Sequence, residues 1–231
     1  MNDAPDFKQL LRRSLVAVLL GTILVALCYW FVDQPVSYFV HDQKFGRRFE
    51  FLKWLTYPPP IVQNWFPLVL VLLMIRRAWG PFHRCELTLL AAGIAVIVAD
   101  QFKQSMALVF GRTWPDTWID DNPSLMRDGV SNFNFFHGGR GYTSFPSGHT
   151  TRTLAAAAVV WIAFPWWRWA AVAASLAVAV GLIGMNYHFV GDVVAGGFAG
   201  ALVGTYTAYC CGLATSRERL QPDERIFSSD R

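Results

Sequence analysis

The sequence predicts an all-α membrane protein built as a bundle of six transmembrane helices. Hydrophobic residues make up 54% of the 231 residues and charged residues only 16%, a skew typical of membrane proteins. The apolar residues also come in blocks, and flanking aromatic residues extend the shorter ones toward the roughly 20 residues that a helix needs to cross a bilayer. The six blocks are 14–31, 61–75, 87–99, 154–167, 170–185 and 193–214.

The chain is expected to form a single membrane domain over 1–231, without a soluble second domain or tandem repeats. The first block is long and no small-residue cleavage pattern follows it, so we expect a retained span rather than a cleaved signal. Residues 34–56 mix aromatic and basic side chains and predict a short interfacial helix. The polar loop 111–148 is long enough to suggest a functional role.

Clusters of lysine and arginine predict the orientation. They lie before the first block, between the second and third, and after the sixth, so six spans place all of them on the cytoplasmic side with both termini. Segments 33–57, 111–148 and 186–191 then face outward, which for a bacterial inner membrane is the periplasm. The net charge of +4 reflects topology and lipid contact rather than nucleic-acid binding. The clusters are Lys8, Arg12 and Arg13; Arg76, Arg77 and Arg84; and Arg217, Arg219, Arg225 and Arg231.

Metal and cofactor sites are not expected. The four cysteines lie in or beside spans, with no zinc-like spacing and no outer-loop pair. The acidic doublet Asp120-Asp121 is interpreted as solvated surface or a helix cap.

The last span carries Gly196, Gly200 and Gly204, which are four residues apart and form a face of small residues. Close packing inside the bundle is the favoured interpretation. A homodimer interface is the weaker one.

The stretch Phe-Pro-Ser-Gly-His at 145–149 stands where a polar, glycine-rich segment meets an apolar block. Proline suits the first turn of a helix, and Ser147 can cap free backbone N–H groups. Gly148 lets the backbone approach a ligand closely. A helix N-terminus favours an anion, and His149 could donate a proton to it. The stretch therefore predicts a phosphate cradle, with a capped helix start and an unrelated histidine as the alternative.

A second motif pairs His188 with Asp192, four residues later and so on the same face of a helix. A carboxylate bonded to one imidazole nitrogen fixes the tautomer and leaves the other nitrogen free to attack. Two histidines and an aspartate at one membrane face are costly to keep without a use. The alternative is a structural pair that joins two helix ends.

Four cations near these motifs are candidates for binding phosphate. The guanidinium group of arginine binds phosphate through two hydrogen bonds. Lys103 can either neutralise phosphate oxygens or extend toward the interface, and Arg140 could equally contact lipid headgroups. The four are Lys103, Arg112, Arg140 and Arg152.

Together these motifs resemble the type 2 phosphatidic acid phosphatase (PAP2) superfamily of integral membrane lipid phosphatases, which shares its core with vanadium haloperoxidases. The family signature is K-x6-R-P, P-S-G-H and S-R-x5-H-x3-D. P-S-G-H is intact at 146–149 and H-x3-D at 188–192. The resemblance covers about residues 100–200 and implies a PAP2/haloperoxidase-like core over about 85–212, with 111–148 as the active-site loop.

The cations of that signature are displaced or missing. The third motif has Leu182 at its arginine and Gly181 at its serine. Aligned on Pro115, the first motif has Trp114 at its arginine and Ala107 at its lysine. Lys103 and Arg112 lie nearby in the chain, and Arg140 and Arg152 are candidates to replace the missing charge.

The resemblance implies metal-independent phosphoryl transfer through a phosphohistidine. His188 would be the nucleophile, oriented by Asp192. His149 would protonate the leaving oxygen and then activate water. The groups expected to stabilise charge on the phosphate oxygens are Lys103, Arg112, Ser147 and the backbone N–H of Gly148.

The implied substrate is a membrane lipid whose phosphate or pyrophosphate lies at the outer surface. Candidates are undecaprenyl pyrophosphate, phosphatidylglycerophosphate, phosphatidate and lipid A phosphate, and the sequence does not choose among them. A lipid phosphotransferase that uses the same histidine remains an alternative. A non-catalytic phospholipid-binding relative is another, prompted by the missing arginine at Leu182.

Overall fold

The computed structural model describes residues 7–118 and 120–214, and this part of the chain is helical without a β-strand. The prediction of an all-α membrane fold is confirmed. A π-helical turn, Cys28–Val32, joins α1 to α2, and a 3₁₀ segment, Glu50–Thr56, leads into α4. The α-helices of the described residues are α1 (Phe7–Leu27), α2 (Asp33–Asp42), α3 (Phe45–Arg48), α4 (Pro58–Arg77), α5 (Arg84–Phe110), α6 (Leu125–Asp128), α7 (Gly148–Ala163), α8 (Arg168–Gly184) and α9 (Val190–Cys210).

Five stretches are long and apolar enough to cross a membrane. The predicted count of six spans is not confirmed, because α7 has only 16 residues. The predicted interfacial helix over 34–56 is divided between α2, α3 and the 3₁₀ segment. The five stretches are Phe7–Asp42, Glu50–Arg77, Arg84–Phe110, Pro165–Gly184 and Val190–Cys210.

The centre of the bundle is α7, which packs against α5, α8 and α9. Alanines supply much of this core and let helix backbones approach closely. The glycine face of α9 points at α7: a Cβ atom added to Gly196 would lie 2.6 Å from the backbone oxygen of Ser147. The glycines therefore serve packing within the chain, and a homodimer through this face is not supported.

One end of the bundle is joined by Arg84, at the start of α5. Its guanidinium group donates hydrogen bonds to the backbone oxygen of Ala163 at 3.0 and 3.1 Å and to that of Leu213 at 3.0 Å. The start of α5 and the ends of α7 and α9 consequently lie together. The opposite end of the bundle holds the start of α7 and the start of α9, where both histidine motifs lie. The arginines at 217–231 fall outside the described residues.

Candidate active site

The start of α7 is tied directly to the start of α9. The backbone N–H of Ser147 donates to the backbone oxygen of Asp192 at 3.0 Å. Ser147 is fully buried, and its hydroxyl accepts a hydrogen bond from the hydroxyl of Thr150 at 3.3 Å. The expected cap is absent, because the Ser147 side chain makes no bond to a backbone N–H group of α7.

The two predicted catalytic histidines lie together. The ring centroids of His149 and His188 are 6.4 Å apart, although the residues are 39 positions apart in the chain. His188 lies in the connection between α8 and α9 and is buried.

Asp192 acts on His188 largely through Ser144. The distance from His188 Nδ1 to Asp192 Oδ2 is 3.6 Å, longer than an ordinary hydrogen bond. The hydroxyl of Ser144 donates to the same carboxylate oxygen at 2.6 Å and lies 3.4 Å from Nδ1. Because Nδ1 faces this pair, Nε2 is the nitrogen left for chemistry.

Two of the predicted cations meet over Gly148. A Cβ atom added to Gly148 would lie 3.3 Å from Arg152 Nη2 and 3.5 Å from Lys103 Cε. Arg152 Nε donates to the backbone oxygen of Gly148 at 3.0 Å, and Nη1 contacts Gln63 Oε1 and lies 3.3 Å from Asp100 Oδ1. The lack of a side chain at Gly148 thus leaves space beside a lysine and an arginine.

Arg112 does not have the position expected of a phosphate ligand. Its Nη1 lies 2.6 Å from Asp192 Oδ1 and its Nη2 lies 2.6 Å from Asp33 Oδ2, and all three side chains are completely buried. Burial acts to lower the pKa of Arg112, but the attraction of Asp192 and Asp33 outweighs it and holds the pKa above its usual value. Arg112 is therefore an ionised partner of the carboxylate behind His188.

Arg140 also lies away from the histidines. Its side chain is 78% exposed and pairs with Asp120 at 3.5 Å. Only its backbone belongs to the site, since the backbone oxygen accepts the indole N–H of Trp114 at 3.1 Å. The Trp114 ring in turn lies 5.1 Å from the ring of His188, centroid to centroid. An indole thus packs on the proposed nucleophile at the position aligned with the family arginine.

Several side chains of the candidate site were not predicted from the sequence. Asp33 gave a usable indication, because it is a lone carboxylate directly after an apolar block. Ser144 and Gln63 gave none, since a serine in a polar loop and a glutamine in an apolar helix are both ordinary. Within the described residues, no group of three or more histidine, cysteine and acidic side chains could hold a metal ion.

Comparison with family models gives a match to the PAP2 superfamily over residues 87–215, more than half of the chain. The chain belongs to the PAP2 superfamily. Among solved structures it is similar to the transmembrane PAP2 type phosphatidylglycerolphosphate phosphatase from Bacillus subtilis, with a TM-score of 0.50, 16% identity, and coverage of 91% of this chain and 98% of that chain. At that identity the likeness concerns the fold. No curated protein matches significantly.

Leu182 stands at the sequence position of the PAP2 arginine and is part of the hydrophobic core. Leu182 is completely buried and packs with Val178 and Val193. A cation at this point of α8 would have to displace apolar packing.

Proposed function

We propose that this PAP2 protein is a membrane lipid phosphatase that cleaves a phosphate or pyrophosphate ester through a phosphohistidine at His188. One observation carries the proposal: the ring centroids of His149 and His188 lie 6.4 Å apart, with a carboxylate and a hydroxyl next to Nδ1 of His188. Each group has a chemical role that fits its place.

In the first step, Nε2 of His188 attacks phosphorus and the bond between phosphorus and the lipid oxygen breaks. His149 gives its proton to that oxygen. Burial, followed by the charges of His188, Arg152 and Lys103, lowers the pKa of His149 to about 3, so the negative phosphate has to raise that pKa again to supply the protonated imidazole. In the second step, His149 takes a proton from water, the resulting hydroxide attacks phosphorus, and phosphate leaves His188. One imidazole thus serves as acid and then as base.

The phosphate oxygens are proposed to contact Lys103, Arg152 and the first backbone N–H groups of α7, beginning at Gly148. Those N–H groups have no partner within the helix and attract anions. Arg152 supplies the charge that Leu182 lacks, from α7 in place of α8, and the carboxylate of Asp100 orients it.

A groove beside the site supports a lipid substrate. It has a volume of about 370 Å³ and lies between α4, α7 and α8. Arg152 lies in its wall, and the groove continues along α7 as far as Val160, which is about 12 Å at the rise of a helix. An amphiphile with an anionic head and a hydrocarbon chain fits this charge pattern. The groove is lined by Pro59, Val62, Ala156, Ala174, Ala177 and others.

We place the site at the periplasmic face of a bacterial inner membrane. The support is the geometry of the bundle, in which the histidines lie at the end opposite Arg84. Arg76, Arg77 and Arg84 flank the connection between α4 and α5, and such clusters favour the cytoplasm. The interfacial segment and the loop 111–148 belong to the outer side in this arrangement.

The test is release of inorganic phosphate by purified protein in detergent. The panel holds undecaprenyl pyrophosphate, phosphatidylglycerophosphate, phosphatidate and lipid A. His188→Ala should fall to background, and His149→Ala should lose at least ~100-fold, the usual scale of acid–base catalysis. His137→Ala, in an exposed loop, is the matched control and should retain full activity. Wild-type turnover in both active-site variants would contradict the assigned roles, and activity should survive EDTA.

The displaced cations keep the phosphotransferase alternative open. A phosphohistidine that passes its phosphate to a lipid alcohol instead of water would yield a new phospholipid without free phosphate. Phosphate release from protein with a single lipid separates the two activities. A non-catalytic relative would show neither activity and no acid-labile label on His188.

A further inference from the structure

Asp33, the first residue of α2, reaches the site from the N-terminal span, outside the residues that match the PAP2 family. Its Oδ2 accepts from Arg112 Nη2 at 2.6 Å, and its Oδ1 accepts from the backbone N–H of Gly191 at 2.8 Å. A Cβ atom added to Gly191 would lie 3.0 Å from Oδ2, so the glycine leaves room for the carboxylate. Asp33 therefore holds the start of the helix that carries Asp192.

The charges of this buried triad do not cancel. One guanidinium group lies between the carboxylates of Asp33 and Asp192, which leaves one net negative charge away from solvent. Without Asp33, the positive charge of Arg112 would neutralise Asp192 alone. Asp192 would then give little electrostatic support to the imidazole that it faces.

We infer that Asp33 is a positioning residue of the proposed phosphatase, which offsets Arg112 so that Asp192 keeps its effective negative charge toward His188. The inference rests on the proposed function. When Nε2 forms its bond to phosphorus, the ring gains positive charge, and a net negative group behind Nδ1 stabilises that state. The N-terminal span thereby contributes to chemistry carried out by the family core.

The test is the pH dependence of kcat/KM for phosphate release from dioctanoyl phosphatidate in detergent micelles. The net charge of the triad is −1 in the wild type, 0 in Asp33→Asn, −2 in Arg112→Gln and −1 again in the double variant. The nucleophile must be unprotonated, so the acid limb of the profile reports its titration. Asp192 and His149 lie next to His188, and the further charged and titratable groups beside the triad or beside His149 are Cys28, Lys103 and Arg152.

The expected order follows from the charges. Loss of a negative charge disfavours the imidazolium form, so Asp33→Asn should move the acid limb to lower pH, on the order of one pH unit. Arg112→Gln should move it to higher pH, and the double variant should return it near the wild-type position. If Asp33 and Arg112 had a purely structural role, both single variants would melt at a lower temperature and the acid limb of the pH profile would not move.

The inference is overturned if folded Asp33→Asn has its acid limb at the same pH as the wild type. It is also overturned if the acid limb of the double variant lies at the same pH as that of Asp33→Asn. If Asp33→Asn does not fold, Arg112→Gln decides the matter alone, and an acid limb that does not move to higher pH in that variant overturns the inference. Gly191→Ala, whose methyl group would press on the Asp33 carboxylate at 3.0 Å without removing a charge, should give at most a small shift to lower pH. The proposed function fails separately, if the wild type releases no phosphate from any lipid of the panel or if His188→Ala keeps its turnover.

Discussion

The hydroxyl of Ser144 donates a 2.6 Å hydrogen bond to Asp192 and stands between that carboxylate and the ring of His188. Ser144→Ala should therefore lower kcat by roughly 10–100-fold, since a hydrogen bond to a charged group contributes about 1.5–3 kcal/mol. Steady-state kinetics in detergent measure the change. Ser175→Ala is the control, because that hydroxyl bonds the backbone of its own helix at Ala171. Equal kcat values for Ser144→Ala and Ser175→Ala would show that the Ser144 hydroxyl does not assist His188.

Arg112→Ala should destabilise the protein rather than weaken substrate binding. The substitution leaves the carboxylates of Asp33 and Asp192 buried together without a counter-charge, and breaking such a buried pair costs about 3–5 kcal/mol. Thermal unfolding in detergent should show a clear drop in melting temperature. Arg140→Ala, at an exposed position of the same loop, should melt like the wild type. A normal melting temperature for Arg112→Ala with a raised KM would restore the phosphate-ligand role.

Lys103→Ala and Arg152→Ala should each reduce kcat/KM by roughly 10–100-fold, the scale of a lost charged hydrogen bond. Asp100→Asn should have a smaller effect in the same direction, because Arg152 stays in place but loses the carboxylate 3.3 Å from its Nη1. Arg140→Ala should show no change. If Arg140→Ala is the damaging variant and Arg152→Ala is active, the assignment of the replacement cation is wrong.

Gly196→Val should lower the melting temperature without changing the oligomeric state. Its Cβ would meet the backbone oxygen of Ser147 at 2.6 Å and force α7 and α9 apart. Gly197→Ala, whose added Cβ would have Thr150 Cγ2 at 3.9 Å as its nearest neighbour, is the adjacent control and should be tolerated. Unfolding scans combined with light scattering measure both properties. A lighter particle for Gly196→Val would instead favour a dimer interface.

Ala174→Phe and Ala177→Phe should fill the groove beside Arg152 and discriminate between substrates. The KM for long-chain phosphatidate should rise, while hydrolysis of a short, soluble phosphomonoester should be unchanged because it needs no groove. Leu176→Phe, on the same helix but facing a different cavity, is the control. A uniform loss for both substrates would indicate damage to the fold and not to a lipid-binding groove.

The class of fold was within reach of the sequence, because apolar blocks of helical length have few other interpretations. The number of membrane spans could not be predicted in the same way. The predicted block 154–167 left out the polar residues with which α7 begins, and α7 runs from Gly148 to Ala163. Because other helices surround α7 in the middle of the bundle, it does not need the length of a helix that faces lipid. Which helices surround α7 depends on tertiary packing that periodicity does not reveal.

In the candidate site, the sequence pointed to the two histidines and the aspartate that lie together in the structure, but not to how charge is distributed around them. His149, His188 and Asp192 stand in short motifs whose spacing marks them as candidates. The candidate cations do not stand in such motifs, and an arginine side chain pairs with a phosphate as readily as with a carboxylate. Arg112 and Arg152 were alike as sequence features, and only their partners, Asp192 for one and Gly148 for the other, separate them.

The contact between Asp33 and the start of α9 has a consequence for biosynthesis. Chains emerge from the ribosome N-terminus first. Asp33 therefore enters the membrane before α9, which bears Asp192 and is the last of the described helices. Until α2 and α9 meet, the buried group of Asp33, Arg112 and Asp192 is incomplete. The proposed phosphatase activity should therefore begin only after α9 has been inserted.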